Sequence, residues 1–401
     1  MAATMTCAGA ATSQTPPPPT TVNNTQVQLG DIFSQQTLNV VDQTGPTTLN
    51  TISTGNSVSG AVINSRLDLT SLQSMQGDTR ATTTINGTGS IGDGVTVITE
   101  SAANSGDASA QNADMNATVT QSVTGSNVLA DTVIAAPAGS LTSGANVDSN
   151  AIGNTQSYGV DFGTATTSTT QTNGAVTQAT MDATIQSMPA TTTFTASAIG
   201  NNVSADGTNS TQVATVNQTM TGARTQASLF VGSGNAWDAT GASTAVANNA
   251  SVNNAGGSLD TSATQANTAY VRADATVASY EFGTLNAMAF GAGNSSQAGE
   301  QGPLLNFDNT QTTTGGVEVF STVNGTTGFD ANASAIAVGN TTTGYACGDC
   351  QASMSINNSQ TNSDGVSATA TVNIAGQARG MTGTATATGN SATFFVTKPT
   401  H

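Results

Sequence analysis

The chain reads as an all-β protein, an elongated β-solenoid or β-helix built from repeats of about 47 residues with inward Asn and Gln ladders. Three observations predict this class. A residue mark repeats almost end to end, a second mark is locked to the first, and apolar residues alternate at the two-residue period of strands.

The first mark is a small residue followed by Asn, at Gly55-Asn56, Ala103-Asn104, Gly153-Asn154, Gly200-Asn201, Ala247-Asn248, Gly293-Asn294, Gly339-Asn340 and Gly389-Asn390. Successive marks are 48, 50, 47, 47, 46, 46 and 50 residues apart. Gln73, Gln121, Gln171, Gln218, Gln265 and Gln311 each lie 18 residues beyond a mark, and Gln360 lies 21 beyond the seventh. A fixed period of this size means stacked supersecondary units rather than one globular core. No mark recurs at 23 or 24 residues, which favours one large coil per repeat, about eight layers, over two coils of half the length.

Composition agrees with a thin, ladder-held body. The 401 residues could make two or three ordinary domains, but the repeat argues for seven complete units and a partial eighth. Only 7% of residues are charged, against about 25% in ordinary soluble domains. Low charge density with regular alternation points to order, since disordered chains combine low hydrophobicity with high charge. The net charge is −17, from 23 acidic and six basic residues. The single Lys398 and the scattered Arg66, Arg80, Arg224, Arg272 and Arg379 form no cationic patch, which excludes nucleic acid and disfavours anionic lipid as partners.

In chain order, residues 1–45 read as a leader outside the repeat, with a stiff spacer at Pro16 to Pro19. The apolar segment Thr25 to Val41 either caps the first coil or pairs as a strand. Met1 to Thr15 has neither basic residues nor an apolar stretch and does not read as a signal peptide. The Thr/Asn/Gly-rich, nearly Lys-free body nonetheless has the composition of extracellular surface material. Residues 46–396 form the repeat solenoid and 397–401 a tail. Within it, Ala227 to Val231, Ala273 to Val277, Gly316 to Phe320 and Val366 to Val372 read as short strands, three or more per unit, punctuated by Gly, Asn and Asp.

Side chains two apart on a strand share a face. Gln121 therefore shares its face with Met115, Ala117, Val119 and Val123, Gln73 with Leu67, Leu69 and Met75, and Gln218 with Ala214, Val216 and Met220. The repeated Gln points inward. A buried amide without partners costs roughly 1–3 kcal/mol, which an identical amide about 4.8 Å above and below removes. Asn56, Asn154, Asn201, Asn248 and Asn340 follow Ile52, Ile152, Ile199, Val246 and Val338 at even spacing, which predicts inward amides there as well. Gln218→Lys, burying an unpaired cation, is expected to unfold the middle of the rod.

The residues for familiar chemistries are missing. The one histidine is His401 at the last position, which leaves no Ser-His-Asp or Cys-His arrangement and no His-based metal site. No phosphate-binding Gly-Lys-Ser/Thr loop, dinucleotide fingerprint, EF-hand loop or calcium-binding nonapeptide occurs. The expectation is no metal, no cofactor and no catalytic centre. Cys347 and Cys350 form a Cys-Gly-Asp-Cys unit that reads as a small loop disulfide in an oxidising compartment; Cys7 reads as an unpaired thiol. Aromatics that could stack on sugar are few, namely Trp237, Tyr158, Tyr270, Tyr280 and Tyr345. Tyr270, Tyr280 and Phe282, near Arg272, are the candidate glycan contact.

The Ala385 to Ser391 block (Ala-Thr-Ala-Thr-Gly-Asn-Ser), the Ile-Gly-Asn and Val-Gly-Asn-Thr blocks and the Gln at fixed offset resemble the holdfast anchor protein D family of stalked alphaproteobacteria, over residues 50 to 396. The resemblance implies a non-enzymatic, extracellular, outer-membrane-associated protein that anchors an adhesive polysaccharide to the cell. It also implies two kinds of partner, a small fibre-forming anchor subunit and a curli-secretion-like outer-membrane lipoprotein; separately, the open ends of a solenoid would permit self-association. Two other readings are a glycan-processing β-helix enzyme, testable by turnover of exopolysaccharide, and a self-polymerising amyloid-like fibre subunit, testable by concentration-dependent filaments.

Overall fold

A computed structural model describes residues 18–347 and 352–397, and its regular structure is strand throughout. The first coil comprises β1 (Thr20–Gln28), β2 (Ile32–Val40) and β3 (Thr47–Ile63). The second comprises β4 (Leu67–Met75), β5 (Thr79–Gly87), the short β6 (Ser90–Gly92) and β7 (Val95–Gln111). The third has β8 (Met115–Val123), β9 (Asn127–Leu141) and β10 (Ala145–Asp161).

From the fourth coil on, the second and third strands run together. The pairs are β11 (Thr164–Asn173) with β12 (Val176–Thr208), and β13 (Thr211–Met220) with β14 (Arg224–Ala255). Next come β15 (Ser258–Asn267) with β16 (Tyr270–Glu300), and β17 (Leu304–Thr313) with β18 (Val317–Ala346). The eighth coil separates again into β19 (Ser353–Asn362), β20 (Val366–Ile374) and β21 (Gly380–Val396). Strands are thus far longer than the short segments the sequence suggests, because pairing with adjacent coils continues around the corners.

Every strand pairs in parallel with its equivalent one repeat away. The first strands of the coils make an eight-stranded sheet in the order β1-β4-β8-β11-β13-β15-β17-β19, and the remaining strands make a 13-stranded sheet. Gln121 pairs with Gln73 and Gln171, and Asn154 with Asn104 and Asn201. One repeat is one coil. Stacking also reaches back past residue 46: β1 pairs with β4 and β2 with β5, so residues 20–40 belong to the solenoid rather than to a leader. The Asn mark sits in the last strand of a coil, so the first two strands of the first coil precede the first mark. Gln26, opposite Gln73, is the ladder position that reading passed over.

Two strand layers face each other across a thin interior. The long third strand lies over the second strand with its first half and over the first strand with its second half, giving two apolar columns. One is built from residues such as Ile85, Val97, Ile134, Met181 and Leu229, the other from Leu67, Met115, Tyr158, Leu259 and Phe307. Between them the long strand bends at the small residue before each Asn. The register passes over that residue, running from Ile152 opposite Ile199 directly to Asn154 opposite Asn201. The bend shifts the alternation by one. Ala151 and Asn154 are both buried while Ile152 between them turns outward, and Ile52 is 52% exposed. The even-spacing argument for the Asn face therefore fails on this half of the strand. These residues do point inward, but only because the kink resets the phase.

The corner after the long strand takes left-handed backbone conformation in successive coils, at Asn64 (φ 56°), Asn112 (φ 48°), Phe162 (φ 54°), Asn209 (φ 50°) and Gly256 (φ 97°). Asn and Gly suit that conformation; Phe does not.

Candidate functional site

Along the centre of the rod the amides form two continuous hydrogen-bonded columns. Gln73 Nε2 donates to Gln26 Oε1 at 3.0 Å, and Gln121, Gln171, Gln218, Gln265, Gln311 and Gln360 each donate to the Gln before at 2.7–2.9 Å. The Asn column runs Asn56, Asn104, Asn154, Asn201, Asn248, Asn294, Asn340 and Asn390, each donating to the next at 2.7–2.8 Å. Asn104, Asn294 and Asn390 complete a column of which the sequence argument carried five members.

The second N–H of each Gln, and of the Asn from Asn104 to Asn340, crosses the interior. Gln121 donates to Thr155 O, Gln218 to Asn249 O and Gln265 to Ser295 O, each at 2.8 Å, while Asn104 donates to Ser122 O at 2.9 Å and Asn201 to Thr219 O at 3.0 Å. These carbonyls fix which end of each amide is nitrogen, because a C=O can only accept. The direction of each column follows. Gln N–H bonds point toward the N-terminal end of the rod and Asn N–H bonds toward the C-terminal end, so the two amide chains lie side by side with opposed dipoles. Each interior Gln makes three hydrogen bonds, and the columns tie both facing layers and neighbouring coils together.

An aromatic groove lies on the surface at the corner where the second and third strands of coils four to eight meet. It holds about 570 Å³ and is lined by Pro189, Asn235, Trp237, Glu281, Phe329 and Gln377 among others. Trp237 is 58% exposed and Phe329 52%. Its floor is Phe282, which is buried, and a methyl at Gly328 in the next coil would sit 2.3 Å from that ring. The glycine thus makes room for the aromatic. Sequence reasoning named Trp237 and Phe282 but could not join them to Phe329, which lies a coil further on.

Tyr270 and Tyr280 both face outward but are ten residues apart on β16, about 33 Å in extended chain, and form no shared site. Tyr280 is 63% exposed beside the groove corner. The Tyr270 hydroxyl donates to Glu318, and the Arg272 guanidinium lies 5.0 Å from the Phe320 ring centre while pairing with Asp274 at 2.8 Å. Partial burial, then the Glu318 carboxylate, push the Tyr270 hydroxyl up to about 12. Tyr158 is buried, shares a 2.7 Å hydrogen bond with Thr169 and cannot meet a sugar. Tyr345 stacks on Phe395 with ring centres 5.7 Å apart. Cys350 lies outside the described residues, and with it the Cys347–Cys350 pairing. Among the described residues no three His, Cys, Asp or Glu side chains come together to hold a metal.

Fold and interior define a parallel β-solenoid whose structural signature is a pair of amide ladders. A family model described as Holdfast attachment protein D matches residues 41–316. The chain belongs to that family, which implies a role in holdfast attachment and association with the cell surface. No curated protein and no solved structure matches it.

Proposed function

We propose that the protein is a non-enzymatic, extracellular tether that holds an adhesive polysaccharide at the outer membrane, working with a fibre-forming subunit and an outer-membrane lipoprotein. Family membership supplies the attachment role. The observation that carries the mechanical reading is the unbroken run of both ladders through eight coils. Pulling along the rod would have to break several backbone ladders and two amide columns at once at any one coil junction. The outward faces are rows of Thr, Ser and Asn, which offer many weak hydrogen bonds to glycan, each small and together additive through multivalency. The aromatic groove with Trp237, Glu281 and Gln377 supplies stacking and polar groups for sugar rings, and Tyr280 extends that contact.

The test is retention of the isolated adhesive polysaccharide on immobilised protein, wild type against Trp237→Ala and Tyr280→Ala. Both side chains are exposed, so the fold survives their loss. Retention falls at least threefold for Trp237→Ala in this account; unchanged retention would remove the groove from it. New reducing ends in the glycan after incubation would reject the non-enzymatic reading.

A further inference from the structure

We propose that the groove at the Trp237 corner is a slot for one non-acidic pyranose ring of the polysaccharide, held between Trp237 and Phe329 at the level of Gly283. The inference rests on the attachment reading, and it names the class of sugar and the residues that select it.

The slot follows from the register of the corner. Between the pairs Ala236–Phe282 and Asp238–Thr284 the register passes over Trp237 and Gly283. Between Phe282–Gly328 and Thr284–Asp330 it passes over Gly283 and Phe329. In the fourth coil Pro189 and Ala190 take that place, and in the eighth Arg379 does, its backbone N–H donating to Phe329 O at 2.7 Å. The corner therefore carries one column along the rod: Pro189, Trp237, Gly283, Phe329 and Arg379. The Arg379 guanidinium lies over the Phe329 ring, 5.4 Å from its centre. Because Arg379 belongs to the eighth coil, it covers the side of Phe329 away from Trp237. Pyrrolidine, indole, phenyl and guanidinium all stack well on one another. Only the middle place has no side chain.

The backbone keeps that place clear. A methyl at Gly283 would lie 2.2 Å from Trp237 O, so a larger residue could enter only by moving the corner. Trp237 and Phe329 belong to coils five and seven, and at about 4.8 Å per coil they stand about 9.6 Å apart. A flat ring between them would use two carbon contacts of about 3.5–4.0 Å, about 7–8 Å in all. The remainder suits the pucker of a saturated pyranose. Its C–H bonds, polarised by neighbouring oxygens, meet the negative faces of the two aromatic rings. Phe282 and Met188, both buried, close the bottom of the slot.

The rim sets the charge. Asn235, Glu281 and Thr327 form a polar column beside the rings, in the same register. Glu281 stands in the sixth coil with Gly283, level with the inserted ring. It is exposed, and among the described residues it has no ion-pair partner. Its carboxylate accepts hydrogen bonds from sugar hydroxyls or an ammonium and repels a sugar carboxylate. Arg379, the cation of the column, already pairs with Asp330. A uronic acid residue thus meets repulsion without a compensating partner, in a chain whose net charge is −17.

Trp237 is the only tryptophan of the chain, so its fluorescence reports the slot alone. The test titrates the full chain with short fragments of the isolated adhesive polysaccharide. A second series uses the same fragments after oxidation of their primary hydroxyls to carboxylates. The untreated fragments are expected to shift Trp237 emission to the blue and shield it from acrylamide. The oxidised ones are expected to bind about fivefold more weakly or worse, a gap that Glu281→Gln narrows. Phe329→Ala should weaken binding of the untreated fragments about fivefold. Phe329→Leu keeps the bulk but not the ring face, and it should weaken binding nearly as much. A titration unchanged in Phe329→Ala, or fully restored in Phe329→Leu, overturns the slot, since Trp237 would then act without a second ring. Oxidised fragments that bind as well as untreated ones overturn the choice of a non-acidic sugar. Emission unmoved by any fragment, while immobilised protein still retains the intact polysaccharide, overturns the slot and leaves the attachment reading standing. Intact polysaccharide that is not retained at all overturns both.

Discussion

Gln218→Leu probes the ladder at mid-rod with nearly constant volume. Gln218 is buried; its Nε2 donates to Gln171 Oε1 at 2.9 Å and to Asn249 O at 2.8 Å, and its Oε1 accepts from Gln265 at 2.7 Å. Leucine removes all three bonds and strands two amide groups, the Gln171 oxygen and one Gln265 N–H, in a dry interior. At roughly 1–3 kcal/mol for each orphaned group the cost is about 2–6 kcal/mol. A solenoid need not unfold in one step, so a global melting midpoint would dilute the effect. Hydrogen exchange read peptide by peptide is the better assay. Protection of the β13 and β15 amides should fall by about thirtyfold to about 25,000-fold, at 1.36 kcal/mol per decade, with the end coils changed less. Gln218→Lys should be worse, because the ammonium leaves Gln265 facing a buried cation. Protection within a factor of two of wild type in Gln218→Leu would refute the idea that these amides depend on one another.

Phe162 holds a left-handed corner at φ 54° with its side chain 57% exposed, so Phe162→Asn should relieve about 1 kcal/mol of strain and raise the denaturant midpoint. An unchanged or lower midpoint would mean that the corner is not strained. Glu300 is buried, which pushes its carboxyl above the usual range, against the opposing hydrogen bonds from Asn254 and the Gly302 N–H. Its folded form therefore holds a proton more readily than its unfolded form. The destabilisation present at neutral pH should be relieved as pH falls through the folded pKa toward the unfolded one. Stability followed from pH 7 down to about 4.5 should rise more in wild type than in Glu300→Gln; equal rises would assign the effect to the general excess of negative charge.

Much of this fold is legible in the chain because the ladder imposes identity: a side chain that must bond its own equivalent one coil away has to recur at the coil's length. That is why Gln73 through Gln360 locate both the period and the inward face. Two features were not legible. The phase shift at Gly153 and its equivalents is a backbone bend, invisible to parity arguments, so Ile152 misleads as a guide to Asn154. The start of the stack at Thr20 precedes the first Asn mark, and only Gln26 betrays it. The groove around Trp237 was hidden for another reason. Its walls come from successive coils, and nothing in the local sequence near Phe329 tells which residue a coil earlier it will face.

The most direct test of the account is hydrogen exchange of the glutamine side-chain amides, followed by NMR on ¹⁵N-labelled protein. Both N–H protons of Gln121, Gln171, Gln218, Gln265 and Gln311 should exchange orders of magnitude more slowly than those of a free amide, since one bonds the preceding glutamine and the other a facing carbonyl. Exchange of these protons at the solvent rate would contradict the ladder and the rod built around it.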